Sequence, residues 1–263
     1  MLDVFGTILV GVALAVILTA IVTSAQFRLS GRLVLAGAAG AWIGFAGAVA
    51  SAGALSNPLT VLAMFGTPLT TTGAVVFGIR AARRAVSVIP LSLFIGLNIV
   101  RVGGVLFVLL AFVGRLSGPF PYLAGWGDFV TGALAIPVAW LAAGEMRVRD
   151  RLTVAWNTFG MLDLIVAVTL GLIARNGSPL QLIHAGVGSA AIQTLPWAFV
   201  PTVLVPFFLI VHAVIFARMR AHRVHSVGPR PISIGPFVTH INERDAAFAR
   251  WEPPWGGFSH LPR

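Results

Sequence analysis

The sequence predicts an all-α fold, a polytopic seven-helix membrane bundle, and three observations carry that expectation. Of 263 residues, 57% are hydrophobic and 10% charged, with a mean hydropathy of +0.93, whereas a soluble domain carries about 25% charged residues. Apolar runs long enough to cross a hydrocarbon core of about 30 Å recur seven times. The runs are continuous rather than alternating, and each is far longer than a barrel strand of roughly 10 residues.

In chain order the runs fall near residues 4–25, 33–55, 59–79, 86–113, 122–143, 152–174 and 197–217. The first has only Asp3 before it and too long an apolar core for a secretory signal, so it reads as a retained helix. The second is rich in Gly and Ala (GAAGAWIGFAG), which lets helices approach closely, and the first two helices read as packing elements. The third carries Thr67, Pro68, Thr70, Thr71 and Thr72. Its hydroxyls are expected to re-bond carbonyls freed by Pro68, the alternative being a kink that lines a cavity. The fourth holds Arg101, the fifth Asp128, and the sixth Asn157 and Asp163. The seventh is interrupted by Pro201 and Pro206 and carries His212.

Short connections make successive helices neighbours in an up-and-down bundle. The exception is residues 175–196, where 180–194 is moderately apolar but too short to span, and an interfacial or re-entrant helix is expected. The chain divides into a bundle over residues 1–217 and a largely irregular tail over 218–263, with one short helix expected at 242–251.

Arginine placement sets the orientation. Arg28 and Arg32, then Arg80, Arg83 and Arg84, then Arg147, Arg149 and Arg151, then seven arginines from Arg218 onward fall on one side, fifteen against Arg115 and Arg175 on the other. Cytoplasmic loops retain arginine, so the amino terminus is expected outside and the carboxyl terminus in the cytoplasm of a bacterial inner membrane. Arg218, Arg220 and Arg223 then face anionic headgroups rather than nucleic acid.

Composition also excludes chemistry. All 18 basic residues are arginine, and cysteine is absent. Lysine Schiff bases, disulfides, thiolate metal sites, iron–sulfur clusters and cysteine nucleophiles are therefore out. No nucleophile elbow, phosphate loop or dinucleotide fingerprint occurs. His184 and His212 belong to opposite levels and cannot share a haem, and His222 and His225 lie among arginines, so neither a metal nor a cofactor is expected.

Arg101 is the most informative residue. Burying it alone at mid-bilayer costs about 2.5–3.5 kcal/mol even on a lenient scale, so it needs a partner. Asp128 and Asp163 are the carboxylates within the central runs. At about 1.5 Å of rise per residue, Arg101 and Asp128 each lie about 25 Å from the inner charges and Asp163 about 18 Å, within reach of one layer. One carboxylate neutralises Arg101, and the second is left to take up a proton. Asn157 and His212, each about 9 Å from an inner arginine, form a second, shallower group. Trp140 and Trp156 fall at that level and read as aromatic-belt anchors.

The segments RVGGVLF, AGWGDFVTGALAIPVAW, WNTFGMLDLIVAV and WAFVPTVLVPFFLIVH, from the fourth to the seventh helix, resemble a group of bacterial multi-span membrane proteins with no known activity. The resemblance implies a helical membrane fold and carries over no functional residue. The seven-helix, amino-out plan is similar to that of rhodopsins in topology only, since no lysine is present.

Three functions are consistent with this pattern. The first is a transporter-like protein handling a small solute or proton at Arg101, Asp128, Asp163, Asn157 and His212. In the second, a structural or assembly subunit of a membrane complex, Arg101 and its carboxylates act as a packing lock. A membrane-embedded enzyme or cofactor carrier comes third, because no nucleophile–base pair can be assembled.

Overall fold

The structure is a computed structural model that describes residues 1–24, 28–143 and 147–226. It is all-helical, with no strand among the described residues. Among the described residues eight helices can be followed: α1 (Leu2–Ser24), α2 (Leu29–Ser51), α3 (Pro58–Gly78), α4 (Arg80–Val88), α5 (Leu91–Phe112), α6 (Phe120–Ala142), α7 (Arg147–Ile173) and α8 (Val205–Ser226). All but α4 belong to spans long and apolar enough to cross a membrane, α8 being entered through a π-helical turn at Val200–Leu204.

The fourth span begins at Leu91, not at residue 86. Pro90 lacks an N–H and pushes Ile89 to extended geometry (φ −71°, ψ 127°), so the apolar run breaks there. What precedes it is α4, a separate two-turn helix that carries Arg80, Arg83 and Arg84. Arg83 is buried and donates to Phe77 O across the kink at Ile79.

Helix α8 is the centre of the bundle. Of its span 56% is buried, against 11% for α2 and 6% for α3. One core cluster joins Ile95 of α5, Ala135 of α6, Trp156 of α7 and Ile215 of α8. Helices α1 to α3 flank this centre and turn Phe5, Val12, Phe45 and Leu59 outward, as lipid-facing surfaces do. Small residues do pack α1 and α2 where they meet the bundle: Ala46 and Ala50 are buried in one core cluster, a Cβ on Gly47 would lie 3.5 Å from the Phe199 ring, and one on Gly6 would lie 2.7 Å from the Trp197 ring. A Cβ on Gly37, Gly40 or Gly44 of α2 would meet nothing within 4 Å, because the bundle touches α2 on another face.

That face holds Trp42. Pro206 has no N–H to offer the carbonyl four residues earlier, that of Thr202, and Trp42 Nε1 donates to Thr202 O at 3.0 Å. A proline in the central helix thus creates the acceptor that docks α2. In α3, Thr70 and Thr71 donate to Gly66 O and Thr67 O, carbonyls of their own preceding turn rather than Met64 O, which Pro68 frees. These threonines are exposed on the outside of the bundle.

The 175–196 connection is not a re-entrant helix. Gly177, Gly186 and Gly188 take positive φ (71°, 53° and 60°), which breaks helical periodicity. The segment folds back onto the end of α7: Leu182 N and Ile183 N donate to Ile173 O at 2.8 and 2.9 Å, and Ser189 Oγ to Gly171 O at 2.6 Å. Only a short 3-10 turn, Ala190–Gln193, is helical in it. On the same side Asp3 accepts from Arg115 at 2.6 Å and from Trp197 at 2.8 Å, tying the start of α1 to the bundle.

Helix α8 continues to Ser226, past residue 217. Arg218 is buried and donates to Ile89 O, so it is a packed residue of the helix and not a free headgroup contact. The helix expected at 242–251 lies outside the described residues.

Candidate functional site

The middle of α5, Leu97–Gly104, is wound as 3-10 helix, and Arg101 sits within it. Glycine makes the close crossing with α6 possible. A Cβ on Gly104 would lie 2.3 Å from Asp128 Cβ, and one on Gly132 would lie 2.5 Å from Val102 N. The two backbones meet with almost nothing between them. Arg101 and Asp128 are thereby set side by side.

The guanidinium of Arg101 is buried and each of its nitrogens is used. Nε donates to Asp128 Oδ1 at 2.7 Å, and Nη2 to Asp163 Oδ2 at 2.6 Å. Nη1 donates to Gly160 O at 3.2 Å and reaches His212 Nε2 at 2.9 Å. The Phe208 ring lies below, 5.9 Å from Cζ. The guanidinium has no lone pair to offer, so His212 Nε2 is the acceptor and its proton is on Nδ1. Nδ1 then donates to Asn157 Oδ1 at 2.7 Å, and Asn157 Nδ2 donates to His212 O at 3.0 Å. The histidine is therefore a neutral imidazole in a fixed tautomer.

Two expectations change here. Asn157 and His212 are not a separate, shallower group but the far end of the same network. Counting helix rise locates Cα atoms, whereas the long arginine side chain carries its charge toward the next level. Nor is either carboxylate left over, since Arg101 bridges Asp128 and Asp163 with different nitrogens. Two carboxylates face one guanidinium, so the fully ionised group carries one net negative charge.

Trp156 also departs from its expected role. It is buried, donates to Thr131 O at 3.0 Å and packs its ring 5.7 Å from His212, while Trp140 is 79% exposed. Sequence reasoning missed the glycines that hold the site. A Cβ at Gly127 would lie 1.8 Å from Asp163 Oδ1, and one at Gly160 would lie 2.7 Å from His212 Cε1. Their signal was local: each lies within three residues of a carboxylate, Gly127 before Asp128 and Gly160 before Asp163. Among the described residues, no three His, Asp or Glu side chains group as a metal would need.

Two small cavities adjoin the cluster. One, of about 60 Å³, runs between α3 and α7, from Asp128 at one end to Arg175, Ser189 and Gln193 at the other. The second, of about 50 Å³, lies between α1, α5 and α8 and is bordered by Arg101 and Asp128. Each has room for a few waters. Asp128 borders both.

Residues 58–220, which hold all five predicted site residues, match the family described as Domain of unknown function (DUF8737). No curated protein and no solved structure matches the chain.

Proposed function

The chain belongs to the DUF8737 family, for which no activity is given, and from the chemistry of its buried cluster we propose that it is a transporter-like membrane protein. Arg101, Asp128 and Asp163, with Asn157 and His212 behind them, form its site for a proton or small solute. The observation that carries this reading is the double role of Asp128. Its carboxylate pairs with Arg101, yet it also borders two cavities, so the ion pair is open to small molecules. Two carboxylates on one guanidinium give the site one excess negative charge, which a proton neutralises. Intramembrane ionisable groups that face a cavity are the usual elements of proton and ion pathways. Asn157 and His212 act as positioning residues, since the fixed imidazole tautomer holds the third arginine nitrogen.

A second reading is favoured by a specific observation. Every nitrogen of Arg101 is satisfied, which is the arrangement of a packing lock in a subunit of a larger membrane complex. The two readings part on flux. Wild-type protein in liposomes with a trapped pH dye is expected to dissipate a pH gradient, and Asp128→Asn with Asp163→Asn is expected to abolish the signal. Equal flux in both would remove the carboxylates from the mechanism.

The same proposal includes the setting. The bundle lies in a bacterial cytoplasmic membrane with its amino terminus outside, and the cavity that ends at Arg175 then opens toward the outer leaflet. Arg220 lies toward anionic lipid on the cytoplasmic side, and the chain beyond residue 226 continues in the cytoplasm.

A further inference from the structure

Asp128 and Asp163 each give one oxygen to Arg101, Oδ1 and Oδ2 respectively. No N–H or O–H donor among the described residues reaches the other two oxygens, Asp128 Oδ2 and Asp163 Oδ1. Both lie against bare backbone. A Cβ on Gly104 would stand 3.1 Å from Asp128 Oδ2, and one on Gly127, the residue before Asp128, would stand 1.8 Å from Asp163 Oδ1. The two carboxyl groups also lie within hydrogen-bonding reach of one another. Their side chains are 12% and 7% exposed. Carboxylates this close repel if both ionise, and one guanidinium cancels only one of the two charges. A single proton between them supplies the missing donor and removes the excess charge.

The surroundings limit what else the pair could take. Each adjoining cavity, about 60 and 50 Å³, has room for a few waters, whereas pockets for organic ligands begin near about 300 Å³. A hard metal cation takes about six oxygens, and two are free here. The charged and titratable groups that face the pair are Arg101 from α5 and His212 from α8, while α1 and α3 bring only apolar side chains to the cavities. Arg175 stands at the far end of the larger one. His212 offers no competing place for the proton, because Nε2 faces Arg101 and Nδ1 faces Asn157. Of the two carboxylates Asp128 borders both cavities and Asp163 neither.

We propose, resting on the transporter-like reading of this site and narrowing it, that its ligand is a proton held jointly by Asp128 and Asp163, with Asp128 as the point of entry. In loading, a hydronium ion in a cavity gives its proton to Asp128: one O–H bond of hydronium breaks, a carboxyl O–H bond forms and water is left. The proton then bridges to Asp163, and release to water reverses both steps.

Infrared difference spectroscopy of the full chain in liposomes at neutral pH tests this. The other acidic residues stand in the first turn of a helix or outside the spans, where water keeps them ionised. A protonated-carboxyl carbonyl band of about one group per chain, shifted in heavy water, is therefore expected from the pair. Asp128→Asn and Asp163→Asn should each abolish it, since Arg101 neutralises the carboxylate that remains. No band in the wild-type protein, or a band that survives in either variant, overturns the shared proton. A wild-type band that disappears when sodium replaces N-methylglucamine in the buffer overturns the proton as ligand in favour of a cation. Failure of the transporter reading looks different: the band is present and both variants lose it, yet the same liposomes hold their pH gradient. Flux without a band gives the converse, transport without a shared proton. The wild-type band alone already decides between one proton and none, so a variant that fails to fold leaves the test intact.

Discussion

Arg101 is held inside the bundle by two carboxylates, a backbone carbonyl and an imidazole. Removing one member of such a buried group leaves the others charged and unpaired, at a cost of about 3–5 kcal/mol. Arg101→Leu is therefore expected to melt well below wild type in detergent. Replacing cation and both carboxylates together (Arg101→Leu, Asp128→Leu, Asp163→Leu) is expected to recover most of that loss, because no charge is then stranded. Thermal denaturation followed by circular dichroism reads both. A triple variant no more stable than Arg101→Leu would show that the energetics lie in packing around the glycines rather than in charge. At this scale the sequence was informative for the charged residues and silent about their spacers. An arginine in an apolar run demands a partner, and only Asp128 and Asp163 stood within the central spans. Gly127 and Gly160 looked like any other small residue, because their importance depends on which side chain crosses them.

Among the elements, the central helix shows how one backbone defect organises its neighbours. Pro206 removes the donor for Thr202 O, and Trp42 of α2 replaces it at 3.0 Å. Trp42→Phe is expected to destabilise the protein by about 1–2 kcal/mol, the cost of leaving a buried acceptor unmet. In a Pro206→Ala background, where residue 206 again has an N–H, the same substitution should cost clearly less. A double-mutant cycle on thermal stability measures that coupling, and additive effects would refute the account of how α2 docks. Span existence and order were legible from hydropathy alone. The α4 break was legible in principle, since Pro90 stands in the run and Arg80, Arg83 and Arg84 just before it. The fold-back of residues 175–196 was not, because it rests on backbone bonds to Ile173 O and Ala174 O that no periodicity announces.

For the whole molecule, the proposed orientation rests on fifteen arginines in or after alternate connections against two in the others. Reporter fusions in residues 81–88 and after residue 226 are expected to report cytoplasm, and fusions near residues 115–118 and 176–187 the outside. The inverted pattern would reverse the direction of access to Arg175 and to the cluster. Depth reasoning from helix rise failed at one pair. It placed His212 and Arg101 in different layers, whereas a 2.9 Å contact joins them, because a bundle assembles side-chain ends and not Cα levels.

The central claim is that the cluster handles a proton or solute rather than only holding four helices together. The variant with all three charges replaced by leucine tests it most directly, through proton flux across a pH gradient in liposomes, scored alongside its melting temperature. Our account predicts a bundle of near wild-type stability that no longer passes protons, while the wild-type protein does. A stable triple variant with undiminished flux would contradict it and leave Arg101, Asp128 and Asp163 as a packing lock.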